Sequence, residues 1–139
     1  MKCNEIMSTD LKVCTGEDSA VNVAKMMKEK DVGPIPVVTK TEMELVGIVT
    51  DRDIVLRVLA EGKDPNETKV SEFMTKEPLY CKVDDSIDEA LQKMEKNQVR
   101  RIPIIDGKNV LKGIVSQADI ANRLEQPNKT AELLEQVSK

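Results

Sequence analysis

Apolar residues return at the spacing of a buried helix face in two places along the chain. Ala20, Val23, Ala24 and Met27 fall at i, i+3, i+4 and i+7, and so do Ile87, Ala90, Leu91 and Met94, each set within a charged stretch. Asp18-Ser19 and Asp85-Ser86 stand just before these stripes and offer side chains that cap a helix start. A short extended segment precedes each cap, Lys12 to Thr15 in one case and Leu79 to Val83 in the other. After each helix the period changes. Ile35 to Val38 and Ile102 to Ile105 are β-rich runs, and a charged or Gly-containing turn leads from them to Val46–Val49 and Leu111–Val115, which predicts two hairpins. A second helix then follows, with Ile54, Val55 and Val58 in one copy matching Ile120, Ala121 and Leu124 in the other.

These matches are one internal repeat. Displaced by 67 positions, Met7 falls on Met74, Cys14 on Cys81, Met27 on Met94, Val32 on Val99 and Ile35-Pro36 on Ile102-Pro103. One residue is then lost, and at a displacement of 66 Gly47-Ile48-Val49 meets Gly113-Ile114-Val115 and Asp53-Ile54 meets Asp119-Ile120. Each unit reads strand–helix–strand–strand–helix, an α/β (α+β) pattern. The expected division is residues 1–65, residues 66–126 and a tail of 127–139, in which Thr130 to Ser138 has helical spacing. About 70 residues is few for an independent core, so the two copies are expected to share one.

Composition narrows the function classes. Of 139 residues 40% are apolar but only 1% aromatic, so the core must be aliphatic. Charged residues of both signs make up 33% and leave a formal net charge of -4, which argues against a nucleic-acid partner. No apolar run is long enough for a bilayer and Met1–Glu5 lacks the apolar stretch of a signal peptide, so a cytoplasmic protein without a membrane partner is expected. Cys3, Cys14 and Cys81 show no Cys-x-x-Cys spacing; Cys14 and Cys81 read as small buried apolar residues. With no His, no P-loop and no metal-ligand cluster, catalysis is not expected and no cofactor is required.

The chemistry of interest lies in a segment that occurs twice, Gly47-Ile48-Val49-Thr50-Asp51-Arg52-Asp53 and Gly113-Ile114-Val115-Ser116-Gln117-Ala118-Asp119. A strand ends in a hydroxyl residue that opens a helix, with a carboxylate three positions on. One reading is a capping box, in which the hydroxyl accepts from the N3 amide and the carboxylate turns back. The other is a nucleotide clamp. Free amides at a helix start and a hydroxyl suit a phosphate, and two carboxylate oxygens suit the two hydroxyls of a ribose.

The Gly-h-x-Ser/Thr-x-x-Asp motif (h apolar), a helix ending near Met and a strand of Ile-Pro type resemble the CBS domain. Two in tandem resemble a CBS pair, or Bateman module, and the resemblance runs from about Ile6 to Leu124. It implies two repeats about a pseudo-twofold axis, with clefts that take AMP, ADP, ATP, S-adenosylmethionine or a related adenosine ligand. Carried over by position, Thr50 and Ser116 would touch phosphate, and Asp53 and Asp119 would hold ribose. Thr15 would lie near the adenine, where the second copy has Lys82, and Ile35, Pro36, Ile102 and Pro103 would line the clefts. Arg101 falls where some members place a phosphate-binding arginine; it reads equally as a solvated charge. Pro34 stands there in the first copy, so the two clefts should differ. The resemblance implies a regulatory sensor acting through an effector protein or its own homodimer, with a structural dimer bearing vestigial clefts as the alternative.

Overall fold

A computed structural model describes residues 1–125, so the expected tail helix lies outside the described residues. The chain forms two compact units, each drawing on both halves of the sequence.

One unit comprises Leu11–Leu79 with Gly107–Leu111. Cys14 opens it, bridged in parallel to Val37 of β1 (Ile35–Val38). Helix α2 (Ala20–Lys30) starts where the Ser19 hydroxyl accepts from the Asn22 amide at 3.1 Å, as the Asp-Ser pair predicted. It ends at Asp31, whose left-handed φ of 54° turns the chain toward the sheet. β1 pairs antiparallel with β2 (Leu45–Val49), Ile35 opposite Val49. Residues 107–111 lie along this hairpin through Leu45 N–H to the Asn109 carbonyl and Leu111 N–H to the Met43 carbonyl. Helix α3 (Asp51–Ile54) follows and loosens into a π-helical turn, Val55–Leu59.

Two elements here were not expected from the sequence. The four-residue helix α4 (Val70–Phe73) and the two-residue strand β3 (Thr75–Lys76) are too short for periodicity to reveal, and β3 pairs with β2. They bring Val70 and Phe73 into a core of Cys14, Ala20, Val23, Met27, Ile35, Val37, Val49, Ile54 and Val58. The chain's single Phe is thus committed to this core. Ala24 and Val55, expected on buried faces, are exposed. A buried stripe needs only every third or fourth position, which Ala20, Val23 and Met27 fill in α2 and Ile54 and Val58 in the following helical segment.

The other unit comprises Met1–Asp10, Tyr80–Asp106 and the chain from Lys112. Its elements are α1 (Cys3–Ile6), β4 (Cys81–Lys82), α5 (Ile87–Lys96), β5 (Arg101–Ile105), β6 (Leu111–Ser116) and α6 (Gln117–Glu125). β4 runs parallel to β5, with β6 on the far side of β5. Ser86 caps α5 by accepting from the Glu89 amide at 3.2 Å. The first ten residues are stitched in by antiparallel bridges, Lys2 to Ser86 and Ser8 to Ile114. Cys3 and Cys81, distant in sequence, are both fully buried here, and the Cys3 thiol donates to the Ser86 carbonyl at 3.8 Å.

Helices α1 and α4 are repeat counterparts, since Cys3–Ile6 displaced by 67 positions is Val70–Phe73. Each opens one repeat in sequence but packs in the unit built around the other repeat.

Candidate functional site

The repeated motif is built alike in both units. In the first copy the Thr50 hydroxyl accepts from the Asp53 amide at 3.1 Å, and Asp53 Oδ2 accepts from the Thr50 amide at 2.9 Å. In the second, Ser116 Oγ accepts from the Asp119 amide at 2.9 Å, and Asp119 Oδ2 from the Ser116 amide at 3.0 Å. The capping box therefore forms twice. It does not consume the ligand chemistry, because each cap leaves Oδ1 of its aspartate and the donor proton of its hydroxyl for something else.

Around the first copy the sheet gathers most of the expected residues. Ile35 lies opposite Val49, next to Thr50. The Pro36 carbonyl accepts from the Cys14 amide at 3.0 Å, placing Thr15 beside that strand. Asp18 Oδ2 holds the Thr15 amide at 2.8 Å and so fixes the turn into α2. Ile35 and Pro36 are both buried, and Ile35 belongs to the core cluster. Arg57, one turn beyond Asp53, was missed by the sequence reading. Its Nε lies 3.9 Å from Asp53 Oδ1, and its Nη1 donates to the carbonyls of Phe73 at 3.2 Å and Met74 at 3.4 Å. The oxygen left over by the cap thus already faces a cation.

In the second copy, the Gln117 amide donates to the Arg100 carbonyl at 2.9 Å, so the start of β5 lies at the end of β6, beside Ser116. Arg101 is exposed there, whereas Ile102 and Pro103 are buried. A cleft of about 240 Å³ opens within this unit, lined by Glu5, Ile6, Met7, Asp119, Asn122 and Arg123. Met7 packs against β6 so tightly that a Cβ on Gly113 would stand 2.5 Å from its Sδ, which explains the glycine. Arg123 is the repeat counterpart of Arg57, yet its Nε is buried with no hydrogen-bond partner among the described residues. The displacement of 66 that aligns the motifs also aligns these two arginines, and that was the signal available for finding them.

The thiols do not extend the site. Burial, followed by the negative charge of Asp18, pushes Cys14 up to about 12. Burial also leads for Cys3, likewise near 12, with Cys81 the next cause. Such thiols stay protonated at neutral pH, and the thiolate is the form that attacks or binds metal. Among the described residues no group of three or more His, Cys, Asp or Glu could hold a metal ion, and no helix is long and apolar enough to cross a membrane.

The sequence model of the CBS domain matches residues 3–60 and 70–126. The Bacillus subtilis protein YlbB, uncharacterised, is 44% identical over 130 residues, covering 94% of this chain and 86% of its own. Hypoxic response protein 1 of Mycobacterium tuberculosis is 41% identical over 112 residues, 80% of this chain and 77% of that one. A crystal structure of Hypoxic Response Protein I with two coordinated zinc ions superposes with a TM-score of 0.79 at 35% identity, over 91% of this chain and all of the other. A CBS domain pair crystallised with 5-methylthioadenosine and S-adenosyl-L-methionine gives a TM-score of 0.74 at 26% identity, over 88% and 94% of the two chains.

Proposed function

We propose that this chain, which belongs to the CBS domain family and carries two copies in tandem, is a regulatory sensor of an adenosine-type ligand. AMP, ADP, ATP and S-adenosylmethionine are the candidates. One observation carries the reading: in both repeats a capped helix start presents a hydroxyl and a carboxylate oxygen that the cap does not use. A phosphate or other anionic group suits the helix start and Thr50 or Ser116, while Asp53 or Asp119 suits a ribose. The related domain pair bound to methylthioadenosine and S-adenosylmethionine supports the ligand class. Ligand binding becomes signalling when an effector or a second copy of the chain reads two states differently.

A thermal-shift and calorimetry panel of AMP, ADP, ATP, S-adenosylmethionine, NAD and cyclic dinucleotides tests this. Ligand at a hundredfold excess over Kd should add about 2.7 kcal/mol of stability by mass action. A flat panel would remove the sensor reading and favour a structural homodimer with vestigial clefts. Two features suit that second reading. Arg57 already faces Asp53, and Val55, Leu56 and Leu59 expose 51%, 45% and 55% of their surface on one helical segment.

A further inference from the structure

We propose that Cys3 and Cys81 form a reversible disulfide that latches the leading segment, residues 1–10, onto the unit built around the second repeat. The inference is independent of the sensor reading and gives chemistry to two thiols that the candidate ligand site does not use. Both belong to the unit of Met1–Asp10 and Tyr80–Asp106, and both are fully buried. The Cys3 amide donates to the Asp85 carbonyl at 2.8 Å, the Asn4 amide to the Val83 carbonyl at 3.1 Å and the Cys3 thiol to the Ser86 carbonyl at 3.8 Å. The start of α1 is thus laid against the turn that leaves β4, whose first residue is Cys81. Next to burial, the Cys81 thiol is what raises Cys3 most, an effect of neighbouring sulfurs.

The other unit is an internal control. Its Val70 amide donates to the Asp18 carbonyl at 2.8 Å and its Ser71 amide to the Gly16 carbonyl at 3.0 Å, the same stitches displaced by 67 positions. There Val70 stands for Cys3 and Cys14 for Cys81, and both belong to one core cluster. Packing at this point is met by a valine with a cysteine, so the second sulfur is not needed for fit. Closed, the buried thiols stay protonated and unreactive. A chain-terminal segment held by short bridges opens locally, and lifting residues 1–10 uncovers both sulfurs. A low-molecular-weight disulfide is the oxidant. The Cys3 thiolate attacks one of its sulfurs, the S–S bond breaks, and one thiol leaves with a proton. As the segment closes, the Cys81 sulfur gives up its proton, attacks Cys3 and expels the second thiol. Two electrons and two protons have then passed to the oxidant, and excess thiol reverses both steps. Glu5, Ile6 and Met7 line the cleft beside Asp119, so the latch fixes one wall of it.

Oxidised glutathione and diamide, applied to the reduced full chain, test the latch. Of the three thiols, alkylation under denaturing conditions should then find only Cys14. Peptide mapping should find Cys3 joined to Cys81, with the chain lighter by two hydrogens, and excess dithiothreitol should restore all three thiols. Hydrogen exchange at the amides of residues 3–8 should slow on the order of tenfold or more in the oxidised chain, because the segment no longer lifts alone. Cys3→Val, which installs the residue of the other repeat, should melt as a folded chain and abolish both changes; Cys81→Ala serves if it does not fold. If the oxidant caps thiols singly, joins separate chains, or leaves all three thiols free even where subdenaturing urea has loosened the segment, the assignment is overturned. A Cys3–Cys81 bond that leaves exchange at residues 3–8 unchanged overturns the latch as well.

Discussion

Replacing Gly47 by alanine probes how closely α4 and β3 are drawn onto β2. A Cβ at Gly47 would stand 2.7 Å from Met74 Sδ and 2.9 Å from the Thr75 carbonyl oxygen. The thioether can swing away, but the carbonyl cannot, because Gly47 and Ile48 pair with Lys76 and Thr75 in the sheet. Overpacking of this kind costs about 1–3 kcal/mol. Against it stands the entropy that alanine removes from the unfolded chain, about 0.4–1 kcal/mol. The net expectation is a loss of about 1–2 kcal/mol, or roughly 4–8 °C in Tm for a domain of this size. Gly107→Ala is the matched control, since nothing lies within 4 Å of its Cβ position and its φ is not positive. It should be neutral or slightly stabilising. Urea and thermal unfolding of the two variants give the difference directly. A Gly47→Ala chain that melts at or above Gly107→Ala would mean that β3 is not held against β2 as described.

The thiols set a pH dependence. Folded Cys3 and Cys14 titrate near 12, above the unfolded value near 9, so the unfolded chain releases protons first as pH rises. Stability should hold below pH ~9 and fall toward pH ~12 by about 1.4 kcal/mol per pH unit for each thiol; denaturant melts of Cys14→Ala should show a shallower alkaline slope, and an unchanged slope would contradict the assignment. Asp119→Asn should weaken AMP binding by about 1.5–3 kcal/mol, and by more than Asp53→Asn does, whereas a purely structural cap would cost only about 0.5–1 kcal/mol of unliganded stability. Sedimentation should give twice the 15.5 kDa chain mass at micromolar concentration, and Leu59→Glu should shift it toward monomer; a monomeric unmodified chain would reject the dimer.

Much of this architecture is legible in the sequence because the repeat states it twice. Asp18-Ser19 and Asp85-Ser86 mark both long helices, and the Ile-Pro runs mark both β-strands that follow. Thr50–Asp53 and Ser116–Asp119 announce their reciprocal bonding through spacing alone. What escaped is short or tertiary. Helices α1 and α4 have one turn each, with no period to read. Their opening amides are satisfied by the turns that lead into the long helices, as when the Cys3 amide reaches the Asp85 carbonyl at 2.8 Å and the Val70 amide the Asp18 carbonyl at 2.8 Å. The arginines following the motif look like ordinary solvated helix charges until folding places one over carbonyl oxygens and the other in a cleft.

The exchange of leading segments has a consequence during synthesis. Residues 1–10 leave the ribosome with their partners, Ser86 and Ile114, still unmade. At about 5–20 residues per second, the wait for those partners is roughly 5–20 s. Residues 11–79 meanwhile contain almost all of their own unit, including α4 and β3. The unit around the first repeat can therefore close while the chain is growing. The second must reach back for residues 1–10, made long before its own strands, and its long loop closure makes it the slower to form. A chain released early would carry one nearly complete unit and an unpaired leading helix bearing Cys3.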